Sequence, residues 1–173
     1  MTGPAIAATI SRELRALERE LNAYATEEQV WALPPGLPNS GGTLALHAAG
    51  NLQHFIGAVL GGSGFVRDRD AEFQRRGVPR VELVEGLRRA DEVVKDTLGR
   101  LDPRRFSESF PMPVANRRIL TSDFMLHLVT HLAYHVGQVD FHRRIVTGDV
   151  TGVGAVNPVE MPSARPLDVR NAG

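Results

Sequence analysis

The sequence predicts an all-α fold: a four-helix bundle with a long crossover and an irregular C-terminal tail. Three observations predict it. Apolar residues recur at steps of three and four in separate stretches of the 173-residue chain, the pattern of helices with one buried face. Clusters of proline and glycine separate those stretches. The hydrophobic content of 42% suits a single core, and neither an internal repeat nor a second core is visible.

The first helix is expected over residues 6–24, where Ile6, Ile10, Leu14, Leu17, Leu21 and Tyr24 keep helical spacing and Pro4 sits at a tolerant start. The run "LPPGLPNSGG" (33–42) breaks the chain. Thr43 is the expected cap of a second helix that reaches about Leu60 and stops at Gly61-Gly62. The charged stretch "RDRDAEFQRRG" (67–77) reads as a connection. It could form a rim to a site or meet a partner subunit, but a solvated or structural role is the simpler expectation. In the third helix Val84, Leu87, Val94, Leu98 and Leu101 repeat, until Asp102-Pro103 ends it. Residues 106–119 carry Pro111 and Pro113 and predict an extended connection, or an edge hairpin at most. Thr121 or Ser122 can cap the fourth helix, Asp123 suits its first turn, and Gly148 closes it. The bundle is thus expected over residues 1–150 and an irregular tail, draped on the body, over 151–173.

Composition excludes several classes of function. Twenty basic residues balance twenty acidic ones, so the basic footprint of a nucleic-acid binder and the polybasic anchor of a membrane binder are both missing. No apolar run approaches the roughly 20 residues that span a bilayer. The N-terminus meets charge too early for a signal peptide. Cysteine is absent, which removes disulfides, Cys-ligated zinc and a cysteine nucleophile, and makes the cytoplasm the expected location.

Four of the six histidines fall in the fourth helix, at 127, 131, 135 and 142. Imidazoles four residues apart lie on one helical face, about 6 Å apart along the axis, and can grip one ion. His127 with His131 satisfies this, and so does His131 with His135. All three cannot share an ion, because the outer two are about 12 Å apart. A further ligand must come from elsewhere, since zinc and its relatives take four or more donors. The second helix offers His47 or His54, seven residues apart on one face with Asn51 between them. Three neutral imidazoles with an open position define a reactive site rather than a structural one. The bland alternative is a set of packing or surface histidines hydrogen-bonded to their neighbours.

The stretch "LTSDFMLHLVTHLAYHVGQVDFHRRIVTG" resembles the last bundle helix of the DinB-like superfamily (DinB/YfiT-type metal-dependent enzymes). "TLALHAAGNLQHFIGAVLGGSGFVRDRDAEF" is similar to the family's second helix and following turn. The resemblance covers roughly residues 6–148. It implies that His47, His131 and His135 are the metal ligands, with the "YHVGQ" run selecting His135 over His127. His54 and His127 then become pocket-lining groups. Asn51 and Gln138, each one turn beyond a ligand, become candidate catalytic groups able to orient a water at the metal, with ordinary helix hydrogen bonding as the alternative.

Imidazole donors suit zinc, nickel or iron as cofactor and leave the metal's identity open, and the resemblance further implies a small-molecule substrate and a homodimer formed by packing bundle helices. It also implies chemistry that is either thiol-dependent transfer (with bacillithiol, mycothiol or glutathione as co-substrate) or metal-dependent hydrolysis. The leading expectation is thiol S-transfer to small electrophiles. Hydrolysis would gain from a nearby carboxylate, and none presents itself on the histidine faces. Asp140 points roughly 140–180° away from the His131/His135 stripe. A non-catalytic bundle that binds metal or ligand, or simply dimerises, is the third alternative. Arg117-Arg118 could attract an anionic thiol, but a surface pair is the simpler reading.

Overall fold

The computed structural model describes residues 2–167. Helix α1 (Gly3–Asn22) starts where Thr2 Oγ1 accepts the Ala5 N–H, with Pro4 in its first turn. Ile6, Ile10, Leu14, Leu17 and Leu21 are all buried along its inner face, and Tyr24 is buried just beyond it. A short α2 (Glu27–Trp31), absent from the sequence reading, is held by a capping box between Thr26 and Gln29.

Helix α3 (Gly41–Leu52) is capped by Ser40 rather than the expected Thr43; Ser40 Oγ accepts the Thr43 N–H at 3.2 Å. Gly41 and Gly42 therefore open the helix instead of breaking the chain. A Cβ on Gly42 would stand 2.6 Å from the Trp31 ring, so the bare backbone lets α2 pack there. The helix continues as a π-helical segment, Gln53–Leu60, whose wide turn closes with Gly61 N–H to Ile56 O at 3.0 Å.

The charged connection contains a further helix, α4 (Arg69–Gln74), capped by Asp68. Helix α5 (Arg80–Arg100) follows and buries Leu83, Val84, Leu87, Val94 and Leu98. After a 3-10 turn (Pro103–Ser107) the chain forms a small hairpin bridged at Ser109–Leu120 and Val114–Arg117. Ala115 and Asn116 both take positive φ at its tip, the signature of a type I′ turn. The hairpin lays Phe110 against Phe124 and Phe55, with ring centroids 4.6 and 6.2 Å apart.

Helix α6 (Thr121–Thr147) starts without the side-chain cap expected from Thr121 or Ser122. Its entry is fixed instead by the hairpin, through Thr121 N–H to Glu108 O at 2.9 Å. Gly148, in the left-handed region at φ 72°, closes it as expected.

The four long helices form a ring in which α1 and α3 each pack against both α5 and α6. Two of the three long connections, α1 to α3 and α5 to α6, cross the diagonals where the sequence reading expected one long crossover, so these consecutive helices are not principal neighbours. Beyond α6 the described part of the tail runs across α1. Glu160 pairs there with Arg15 and Arg19, and Arg19 Nε donates to Val153 O at 2.8 Å. Residues 168–173 of the expected tail lie outside the described residues. Among the described residues no helix is long and apolar enough to cross a membrane.

Two buried polar groups pin the lower half of α6. Arg143, wholly buried, donates to Glu20 at 2.5 Å and to Thr151 O at 2.7 Å. His142 donates from Nε2 to Ala32 O at 2.8 Å, so its Nδ1 accepts the Tyr24 hydroxyl at 2.6 Å. This is a structural histidine with both nitrogens satisfied. Burial lowers its pKa, against the opposing pull of the Ala32 carbonyl. The unfolded chain therefore takes a proton below the ordinary value of 6.5 that the native state refuses. The sign follows: stability is full above that pH and declines as pH falls through the folded value. Chemical denaturation at pH 7.5 and pH 5.5 should show a loss of unfolding free energy at the lower pH, and a smaller loss in His142→Gln.

Candidate metal centre

Helix α3 supplies His47, and α6 supplies His131 and His135 one turn apart. Because these helices are neighbours, the three rings converge. Their centroids are 5.3 Å apart for His47–His131, 5.0 Å for His47–His135 and 4.4 Å for His131–His135. One nitrogen from each lies within 4.8 Å of the other two. His131 Nε2 and His135 Nε2 are 3.1 Å apart. Two ligands at about 2.0–2.1 Å from a tetrahedral ion would be about 3.4 Å apart, so the donors are close to the required spacing.

The outer nitrogens are held by partners that suit a metal ligand. His135 Nδ1 donates to Gln138 Oε1 at 2.7 Å, which leaves Nε2 as a lone pair facing His131. His47 Nδ1 lies 3.0 Å from Glu72 Oε2 on α4. Glu72 in turn accepts from Arg67 Nε at 2.6 Å and Nη2 at 2.7 Å, a two-pronged guanidinium contact. Phe73, also on α4, packs 5.0 Å from the His47 ring. Three converging imidazoles, two of them held through their outer nitrogens by Glu72 and Gln138, form a donor set that could hold a divalent cation.

The electrostatics agree with that donor set. Burial, aided by the His135, His47 and His127 rings and by Arg67, pushes His131 down to about 4. Burial lowers His135 as well, although its bond to Gln138 opposes the shift. Both rings are therefore neutral at pH 7, the form that coordinates metal. Burial alone would raise the Glu72 carboxyl, but the hydrogen bonds from Arg67 and His47 outweigh it and hold the group below its usual range.

The remaining histidines stand apart. His127 is exposed and stacks on Phe124 at 12°, its ring 5.7 Å from that of His131. His54, on the π-helical segment, stands edge-on to Phe55 at 4.8 Å with a buried, unpartnered Nδ1. Asn51 is buried one turn beyond His47 and, among the described residues, makes no hydrogen bond to the three histidines. Gln138 is tied to His135. Its Oε1 is occupied by the ring nitrogen, so it orients the imidazole directly.

Arg67 and Glu72 were missed in the sequence. The charged stretch was expected to be solvated, yet these two side chains turn inward to His47. The one local signal is Asp68 three residues before Ala71, a helix cap that makes α4 possible; nothing in the sequence reports its contact with α3. An apolar hollow of about 380 Å³ adjoins Gln138, lined by Leu37, Pro38, Leu44, Tyr134 and Phe141.

The family model described as a protein of unknown function, DUF1572, matches residues 5–152, and the chain belongs to that family. No curated protein and no solved structure gives a match.

The geometry separates His127 from the cluster, and this can be measured. Zn²⁺ added to metal-stripped protein should bind at one equivalent in the wild type and in His127→Ala. In His131→Ala it should be lost or weakened by orders of magnitude, read by chelator competition and elemental analysis.

Proposed function

We propose that this chain is a divalent-metal-dependent enzyme of the DinB-like type that transfers a low-molecular-weight thiol to a small electrophile. The observation that carries the reading is the convergence of the His47, His131 and His135 rings, with two Nε2 atoms 3.1 Å apart. An ion held by these residues supplies Lewis acidity, which makes a thiol ligand far more acidic than the free thiol. The chain's own part is to hold that ion and aim it. Gln138 fixes the His135 ring, Glu72 fixes the His47 ring, and burial keeps His131 unprotonated. In the reaction the thiol sulfur bonds to the electrophilic carbon, the leaving group departs with its electron pair, and the thiol proton goes to solvent. The chain has no cysteine of its own, so the thiol comes from outside.

A specific observation favours thiol over water as the nucleophile. Hydrolysis benefits from a general base near the reacting atom. The carboxylate nearest the cluster, Glu72, has both oxygens engaged by Arg67 and lies against the outer nitrogen of His47. It is not free to take a proton at the inner side. The apolar hollow beside Gln138 is large enough for a small substrate of limited polarity. The same face of α6 exposes Leu126, Tyr134, Phe141 and Ile145 in a helical stripe, which suits the packing of a second copy.

Turnover of a chromogenic electrophile should require both a divalent metal and an added thiol, and should vanish with chelator. Activity with metal alone would favour the hydrolase, and activity in neither case a non-catalytic bundle. Light scattering after size exclusion should give twice the chain mass, and Phe141→Glu should give monomer; a monomeric wild type would end the homodimer proposal.

A further inference from the structure

Arg67 Nη2 is close to two acceptors at once. It lies 2.7 Å from Glu72 Oε2 and 3.2 Å from His47 Nδ1. His47 Nδ1 in turn lies 3.0 Å from Glu72 Oε2. A neutral imidazole carries one hydrogen, and the two neighbours ask for opposite placements. A carboxylate accepts only, so it draws the hydrogen to Nδ1 and leaves Nε2 as a lone pair for the metal. A guanidinium donates only, so it would bond to an unprotonated Nδ1 and leave the hydrogen on Nε2, where it blocks coordination. In the intact site Nε and one hydrogen of Nη2 go to Glu72, whose Oε2 also stands closer to His47 Nδ1 (3.0 Å) than Nη2 does (3.2 Å), and the ionised carboxylate decides.

We propose that Glu72 is the positioning residue that makes His47 a metal donor by selecting its tautomer, and that Arg67 turns into an antagonist of metal binding once Glu72 is removed. The proposal rests on the metal-centre reading above and deepens it. The carboxylate has a purpose-made seat. A Cβ on Gly50 of α3 would fall 2.8 Å from Glu72 Cδ, so only glycine lets the carboxyl group lie flat against the helix. The seat is next to His47 on the same helix, and α4 and Arg67 close it from the other side.

The test separates this idea from the metal reading. In metal-free, uniformly ¹⁵N-labelled wild-type protein, long-range ¹H–¹⁵N spectra should show His47 with a pyrrole-type Nδ1 and a pyridine-type Nε2. The opposite pattern overturns the proposal, and this measurement needs no substitution to fold. Zn²⁺ affinity by chelator competition supplies the second arm. Glu72→Ala should weaken binding by about 10–100-fold or more. The double variant Glu72→Ala/Arg67→Met should bind more tightly than Glu72→Ala alone, because the competing donor is gone; equal or weaker binding overturns the antagonism. Gly50→Ala keeps every polar group and puts a better helix former inside α3. It should fold, lose affinity and shift His47 toward the Nε2–H tautomer. If the wild type binds no Zn²⁺ while His47 still shows Nδ1–H, the metal reading fails and the tautomer assignment stands.

Discussion

Burying an imidazole obliges the fold to satisfy two ring nitrogens, and that obligation organises this molecule. His142 meets it fully, with a tyrosine hydroxyl on one nitrogen and a backbone carbonyl on the other. It is therefore inert and ties α6 to the chain that follows α1. His47 and His135 have their outer nitrogens satisfied by Glu72 and Gln138. Their inner nitrogens, with that of His131, face each other across a gap of a few ångströms. Polar groups in a protein interior are rarely left without partners. Three imidazole nitrogens gathered in one small space form a group that could hold a cation, and the difference between His142 and the other three is one of completion rather than of residue type.

The diagonal connections explain how residues so far apart in sequence are brought together. A simple up-and-down chain would make each helix the neighbour of the next. Here the segment after α1 carries Trp31 and the glycine-opened start of α3 across the bundle, and the hairpin after α5 delivers α6 to the far side. Helices α3 and α6 thus become adjacent, and His47 meets His131 and His135. The hairpin sets the start of α6 through Thr121 and Phe110. A shift by one residue there would turn the histidine stripe by about 100° and take it out of the site.

Much of this was legible in the sequence, for definite reasons. Apolar spacing revealed the four long helices because each buries one face, and Gly148 marked the end of α6 because only a left-handed residue closes a helix that way. The spacing of His131 and His135 gave a pair on one face, but spacing alone left His127 as an equal candidate; the family resemblance chose between them, and the fold brings His47, His131 and His135 together while His127 stays outside. What stayed hidden was non-local. Gly41 and Gly42 looked like a break because their contacts with Tyr24 and Trp31 are tertiary. Thr121 looked like a cap because the hairpin that supersedes it is formed by long-range pairing. Glu72 and Arg67 looked like solvent-facing charges, since nothing near them in sequence announces that a histidine twenty-five positions earlier needs an acceptor. His142 read as a packing or surface histidine bonded to its neighbours, but its partners, Tyr24 and Ala32, are more than a hundred positions away and only the fold shows them.

Helix α4 is six residues long, too short to persist by itself in water, where nucleating a helix costs more than so few turns return. Its order is borrowed from the contacts that Glu72 and Phe73 make with His47. Breathing of this segment would therefore be coupled thermodynamically to whatever occupies the inner side of that ring: ligation there should slow the fraying of α4, and fraying should loosen ligation. A short surface element thereby becomes a reporter, through its amide protection, of the state of a centre it does not itself enter.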